Sequence, residues 1–117
     1  MQIADRTRES ETAARRYPFV RQIIKIDETY YSVKYRLTVA PDLFIQLYFN
    51  ERSGTAGLVL VYRRERLYGR DCESGGWHCH PIEDPAVHDA SPEGRRAVSV
   101  DEFLGEVQDI LVRENLI

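Results

Sequence analysis

The densest group of reactive side chains in this 117-residue sequence is Trp77-His78-Cys79-His80, with Asp71 before it and His88 after it. In an extended chain successive side chains alternate, so His78 and His80 point to the same side. Two imidazoles titrating near neutrality can divide the work of base and acid. Cleavage of RNA by its own 2′-hydroxyl needs such a pair: one group takes the hydroxyl proton and the other protonates the leaving oxygen. Asp71 is suited to orient one imidazole and fix its tautomer. Arg66 and Arg70, with Arg63 nearby, can hold the phosphate and offset its developing charge. Trp77 offers a stacking surface to an unpaired base, and His88 joins the residues expected to face substrate. The expected catalytic set is therefore His78, His80 and Asp71. The expected substrate-binding set is Arg66, Arg70, Trp77 and His88, with no metal and no cofactor.

Each of these residues also has a plain structural reading. Trp77 serves as a core or rim anchor, the arginines at 63–70 solvate a hairpin and pair with Glu65 and Asp71, and His88 is an ordinary surface residue. A metal site competes as well, because Cys72, His78, Cys79, His80 and His88 are all donors that zinc accepts. Their spacing lacks the C-x₂₋₄-C and H-x₃₋₅-H pairs of structural zinc folds. What remains is a two-histidine site completed by Asp71 or His88, ranked below metal-free chemistry.

The elements that must position these groups are legible as alternating patterns. Val20, Ile24 and Ile26 alternate with polar residues, although a short helix through Phe19, Ile23 and Ile26 also fits. Tyr31, Val33, Tyr35, Leu37 and Val39 mark a half-buried strand, and Leu43, Ile45, Leu47 and Phe49 repeat the pattern after the Pro41-Asp42 turn. Leu58 to Tyr62 is apolar on both faces, and Leu67 to Arg70 closes the series. Connections this short require antiparallel neighbours, since a parallel crossover takes a dozen or more residues. Ser99 and Glu102 form a capping box that opens a helix with Phe103, Leu104, Val107, Ile110 and Leu111 on one stripe. Residues 2–16 form helix readily but carry almost no apolar stripe, so they read as a solvated helix or an arm. Residues 71–98 read as one long functional loop.

The fold class is thus α+β: a meandering antiparallel sheet of about five strands, a C-terminal helix packed on one face, and an N-terminal helical arm over 1–17. The length suits one domain covering 1–117. The net charge of −3 does not suggest a nucleic-acid binder, yet the cations are fourteen Arg against only Lys25 and Lys34, and Arg forks suit phosphate. A genome-level bias toward Arg also explains that composition. No apolar run is long enough to span a bilayer and the N-terminus lacks a signal-peptide core, so the chain is expected in the cytoplasm, with both cysteines reduced.

The order of these features resembles the TumE-like toxins of prokaryotic toxin–antitoxin systems, over about residues 20–112. The resemblance rests on the Y-x-V-x-Y-R-L strand from Tyr31 to Leu37, a tight turn, two further strands, an aspartate, a histidine patch and a final helix. Asp71 looks like the family aspartate, and His78 and His80 look like its histidine cluster. Gly69 stands where the family arginine would be, with Arg70 beside it, and Cys72 replaces an asparagine. The resemblance implies a toxin acting on RNA, neutralised by a cognate antitoxin encoded alongside. Two other readings compete with the ribonuclease: a non-catalytic interaction module, such as a homodimer or adaptor using its Tyr/Arg surface, and a small metal-binding protein built on His78 and His80.

Overall fold

The computed structural model describes residues 2–73 and 76–117. Helix α1 (Ile3–Arg15) is followed by β1 (Gln22–Glu28), β2 (Ser32–Ala40), β3 (Leu43–Asn50), β4 (Thr55–Tyr62), β5 (Glu65–Glu73), β6 (Gly76–His80) and α2 (Val100–Arg113). The strands form one antiparallel meander in the order β1-β2-β3-β4-β5-β6. The sheet has six strands where the alternation predicts about five. The extra one is β6, whose histidines and cysteine hide a period of two behind polar side chains. The segment read as a loop over 71–98 is therefore strand at both 71–73 and 76–80, and only 81–99 connects β6 to α2.

One face of the sheet is covered and the other is open. Val33, Tyr35 and Leu37 of β2, Leu43, Ile45, Leu47 and Phe49 of β3, and Ala56, Leu58 and Leu60 of β4 are all buried. Against them lie Val100, Phe103, Leu104, Val107, Ile110 and Leu111 of α2, also buried. The capping box that opens α2 forms as its residues require: Ser99 Oγ accepts from Glu102 N at 3.1 Å, and Glu102 Oε1 accepts from Ser99 N at 2.9 Å. No helix among the described residues is long and apolar enough to cross a membrane.

Helix α1 is not a free arm. It docks on β2, β3 and α2 through Ile3, Ser10, Ala13 and Ala14. Small side chains carry little apolar signal but let a helix approach closely, so this stripe is invisible to a search for large residues. Polar groups fix its position. Glu9 Oε2 accepts from Val100 N at 3.0 Å, Arg6 Nε donates to Glu51 at 2.8 Å, and the Tyr35 hydroxyl donates to Glu11.

The β4–β5 hairpin turns on two residues, Arg63 and Arg64, between the paired Tyr62 and Glu65. Both have left-handed backbone, with φ of 51° and 70°. A two-residue hairpin with positive φ at both positions matches the strand twist and is ordinarily filled by Asn-Gly. Side chains larger than Asn cost about 1–2 kcal/mol each in that region.

Candidate functional site

Strand alternation decides which residues of β5 and β6 meet. Asp71 lies directly across from His78, and Gly69 lies across from His80. All four belong to the open face. Gly69 offers no side chain opposite His80, and a Cβ there would stand 3.1 Å from the Leu58 carbonyl oxygen.

After β6 the chain reverses through tight turns, with Asp84 N donating to Pro81 O and Val87 N to Asp84 O. It then returns along the outer edge of β6, where Cys79 and Asp89 exchange both backbone hydrogen bonds, at 3.1 and 2.7 Å. This return covers an otherwise bare sheet edge and delivers two groups to the open face. The Pro85 carbonyl lies 2.9 Å from His80 Nδ1, and the His88 ring packs on the other two imidazoles.

The three rings form a compact triangle. Centroids are 5.1 Å apart for His78 and His80, 4.7 Å for His78 and His88, and 4.6 Å for His80 and His88. One ring nitrogen from each lies within 4.8 Å of the others. Asp71 Oδ2 sits 3.0 Å from His80 Nε2, 3.8 Å from His78 Nε2 and 3.6 Å from Arg66 Nη1. Exposure rises outward: His80 is 3% exposed, the His78 side chain 18%, and the Arg66 side chain 39%. Burial pushes the His80 imidazole below its ordinary value, and the Arg66 and His88 charges push the same way, against the Pro85 hydrogen bond and the Asp71 charge. His80 is thus held at the floor between the Pro85 carbonyl and the Asp71 carboxylate, while His78, His88 and Arg66 form the accessible rim.

Two residues expected at the site are not there. Arg70 and Trp77 have the opposite parity and face the helix side. Arg70 is paired in register with Cys79, and Trp77 with Cys72. The Arg70 guanidinium is almost wholly buried, and both Nε and Nη2 donate to Glu106 at 3.0 Å. Nη2 also donates to Glu93 Oε1, and Nη1 to the Glu93 carbonyl, both at 2.9 Å. Tyr68 OH donates to Glu106 at 2.8 Å. Burial works against the Arg70 charge, but Glu106, Tyr68 and Glu93 together outweigh it and raise its pKa. Its donors are directed at Glu106 and Glu93 on the helix side, away from any phosphate at the imidazoles. Trp77 packs against the core as an anchor.

Both thiols are likewise buried on the helix side and unpaired, with burial pushing each above its usual range. They supply nothing to the imidazole cluster. The sequence reading puts His88 on the substrate side. The structure makes it a full member of the cluster, and the Pro85 carbonyl has no sequence signal at all, because its role depends on how the 81–98 segment folds back. Searches of family models, curated proteins and solved structures find no match to this chain.

Proposed function

We propose that this protein is a toxin-type ribonuclease that cleaves RNA through imidazole acid–base chemistry at the His78, His80 and His88 cluster. The carrying observation is the convergence of three imidazoles, one carboxylate and one guanidinium on an open sheet face. The resemblance to TumE-like toxins adds support, and with it come a cognate antitoxin as partner and a cytoplasmic site of action.

Burial of His80 favours a positioning role, with Asp71 and Pro85 locking the ring. The accessible, stacked pair His78 and His88 then divides the proton work. His88, neutral, takes the 2′-hydroxyl proton as the oxygen attacks phosphorus. His78, 3.8 Å from the Asp71 carboxylate, gives a proton to the departing 5′-oxygen as the P–O bond breaks. The products are a 2′,3′-cyclic phosphate and a 5′-hydroxyl. Arg66 offsets charge on the non-bridging oxygens. The test is cleavage of an end-labelled RNA by purified protein in EDTA, with product ends analysed. Undiminished cleavage by folded His78→Ala and His88→Ala variants would sink the reading.

A specific observation favours a second reading, a divalent transition-metal centre. Three imidazoles around one tetrahedral ion, each about 2.0–2.1 Å from it, have ring spacings close to those seen here. His80 Nδ1 against a backbone carbonyl, which leaves Nε2 as the other ring donor, is the arrangement that outer groups impose on a metal-binding histidine. The three imidazoles would be the protein donors, the fourth position would be left for a water that the ion would activate, and Asp71 would stand beside them as an outer carboxylate. Elemental analysis of protein purified without an affinity tag separates the two readings. Near-stoichiometric zinc, manganese, iron or nickel, with cleavage lost in EDTA, selects the metal centre.

A further inference from the structure

The open face of the sheet extends away from the histidines as a platform of aromatic, cationic and small side chains. One cross-strand row runs Lys34, Tyr48, Gly57, Asp71, His78, and the next runs Arg36, Gln46, Val59, Gly69, His80. With strands about 4.8 Å apart, Tyr48 stands roughly 14 Å from His78 along its row. Lys34 Nζ lies 5.8 Å from the Tyr48 ring centroid, and the Arg36 guanidinium lies 4.2 Å above Phe44. Neither helix among the described residues buries its apolar stripe on this face, and these side chains are half-buried.

The platform ends in a cavity of about 650 Å³ lined by Arg36, Phe44, Val61, Arg63 and Arg64, together with the Pro41-Asp42 turn. Three guanidiniums border it against one carboxylate, Asp42, which lies 3.6 Å from Arg63. Two further observations point to a ligand. Arg63 and Arg64 occupy left-handed positions that Asn-Gly would fill without strain, and strain retained at a cationic hairpin tip marks a site under functional demand. The Arg36 Nε is buried without an acceptor among the described residues, an unmet donor that a shift of the side chain toward the cavity would present to a bound anion or base. Arg66 links the cavity to the cluster, pairing in register with Val61 and reaching Asp71.

We propose that this face is the binding track for single-stranded RNA. One base stacks on the Arg36–Phe44 pair, and the adjoining phosphates are held by Arg63 and Arg64, several residues away from the imidazoles. Stacking platforms flanked by cations suit unpaired strands, because a duplex hides the base faces. The track deepens the ribonuclease reading and rests on it for its orientation toward His78.

The test is fluorescence anisotropy with a labelled 2′-O-methyl oligouridylate, which binds without being cleaved. The intact chain is compared with an Arg63→Asn/Arg64→Gly variant and with Phe44→Ala. The double variant is expected to melt a few degrees higher, because the turn is relieved, while its affinity falls at least tenfold. Its salt dependence should become shallower by about 1.4 in log–log slope, for two lost phosphate contacts. Phe44→Ala should weaken binding without changing that slope. Undiminished affinity in the double variant, no binding by the intact chain, or equal binding of a duplex would overturn the proposal. Cleavage of unmodified RNA separates the two claims. Binding that follows this pattern without cleavage sinks the ribonuclease and keeps the track, whereas cleavage with unchanged KM in the double variant does the reverse.

Discussion

Asp71 Oδ2 lies 3.0 Å from His80 Nε2, although the two residues are diagonal rather than opposite in the β5–β6 register. The diagonal contact exists because Gly69 leaves the place across from His80 empty, so the ring leans along the strand toward the carboxylate. The other ring nitrogen meets the Pro85 carbonyl at 2.9 Å. A buried imidazole with an oxygen beside each nitrogen is fixed in orientation, and the rest of the cluster is referenced to it.

Asp71→Asn should therefore reduce RNA cleavage more than RNA binding. The amide keeps the size but removes the charge that orients His80 and faces His78. A loss of kcat on the order of 100-fold, with KM nearly unchanged, is expected. Steady-state kinetics on a labelled oligonucleotide checks it, and a loss confined to KM would contradict the role.

Gly94→Ala should disturb the site from a distance. A Cβ at Gly94 would stand 2.1 Å from the Asp89 carbonyl oxygen, the acceptor for Cys79 N at the edge of β6. Backbone must move, costing about 1–3 kcal/mol, and His88 moves with Asp89. Denaturation in urea and NMR shifts of the three imidazoles report the two effects. An unaltered His88 environment would count against this coupling.

The Arg70 network should behave as structure. Glu106→Ala leaves a buried guanidinium short of its main partner, at a cost of about 3 kcal/mol. Replacing both groups, as Arg70→Met with Glu106→Leu, should cost less than the single change. Neither substitution should alter RNA affinity per folded molecule, because Arg70 faces away from the imidazoles. Chemical denaturation and anisotropy on the same samples decide the point.

Acid should weaken this network through Glu93. The Arg96 and Arg70 guanidiniums hold its carboxyl down to about 2, from an ordinary 4.5. The unfolded chain binds the proton more readily between those values, so stability rises with pH across that window. The contribution is complete above about pH 4.5 and is lost as pH falls toward 2. Comparing acid unfolding of the parent with Glu93→Gln measures it, and identical slopes in that window would exclude the linkage.

Much of this architecture is written in local pattern. Alternation in Val33, Tyr35 and Leu37 and in Leu43, Ile45, Leu47 and Phe49 sets two faces on each strand, and short turns force antiparallel neighbours. Ser99 and Glu102 start α2 by bonding their own backbone. His78 and His80 share a face because a strand repeats every two residues. Each of these depends on residues close in the chain, which is why the sequence alone determines them.

Tertiary structure decided what each face meets. The period of two separates Asp71 from Arg70 and the histidines from Trp77, but it does not say which side α2 covers. Arg70 became structural because carboxylates 23 and 36 residues further along close on it. His88 joined the cluster because the 81–98 segment folds back on β6, and α1 docked through alanines whose small size is its only signal. These outcomes depend on burial and on partners distant in sequence, and a guanidinium or an imidazole takes its role from the charges that surround it once the chain has closed.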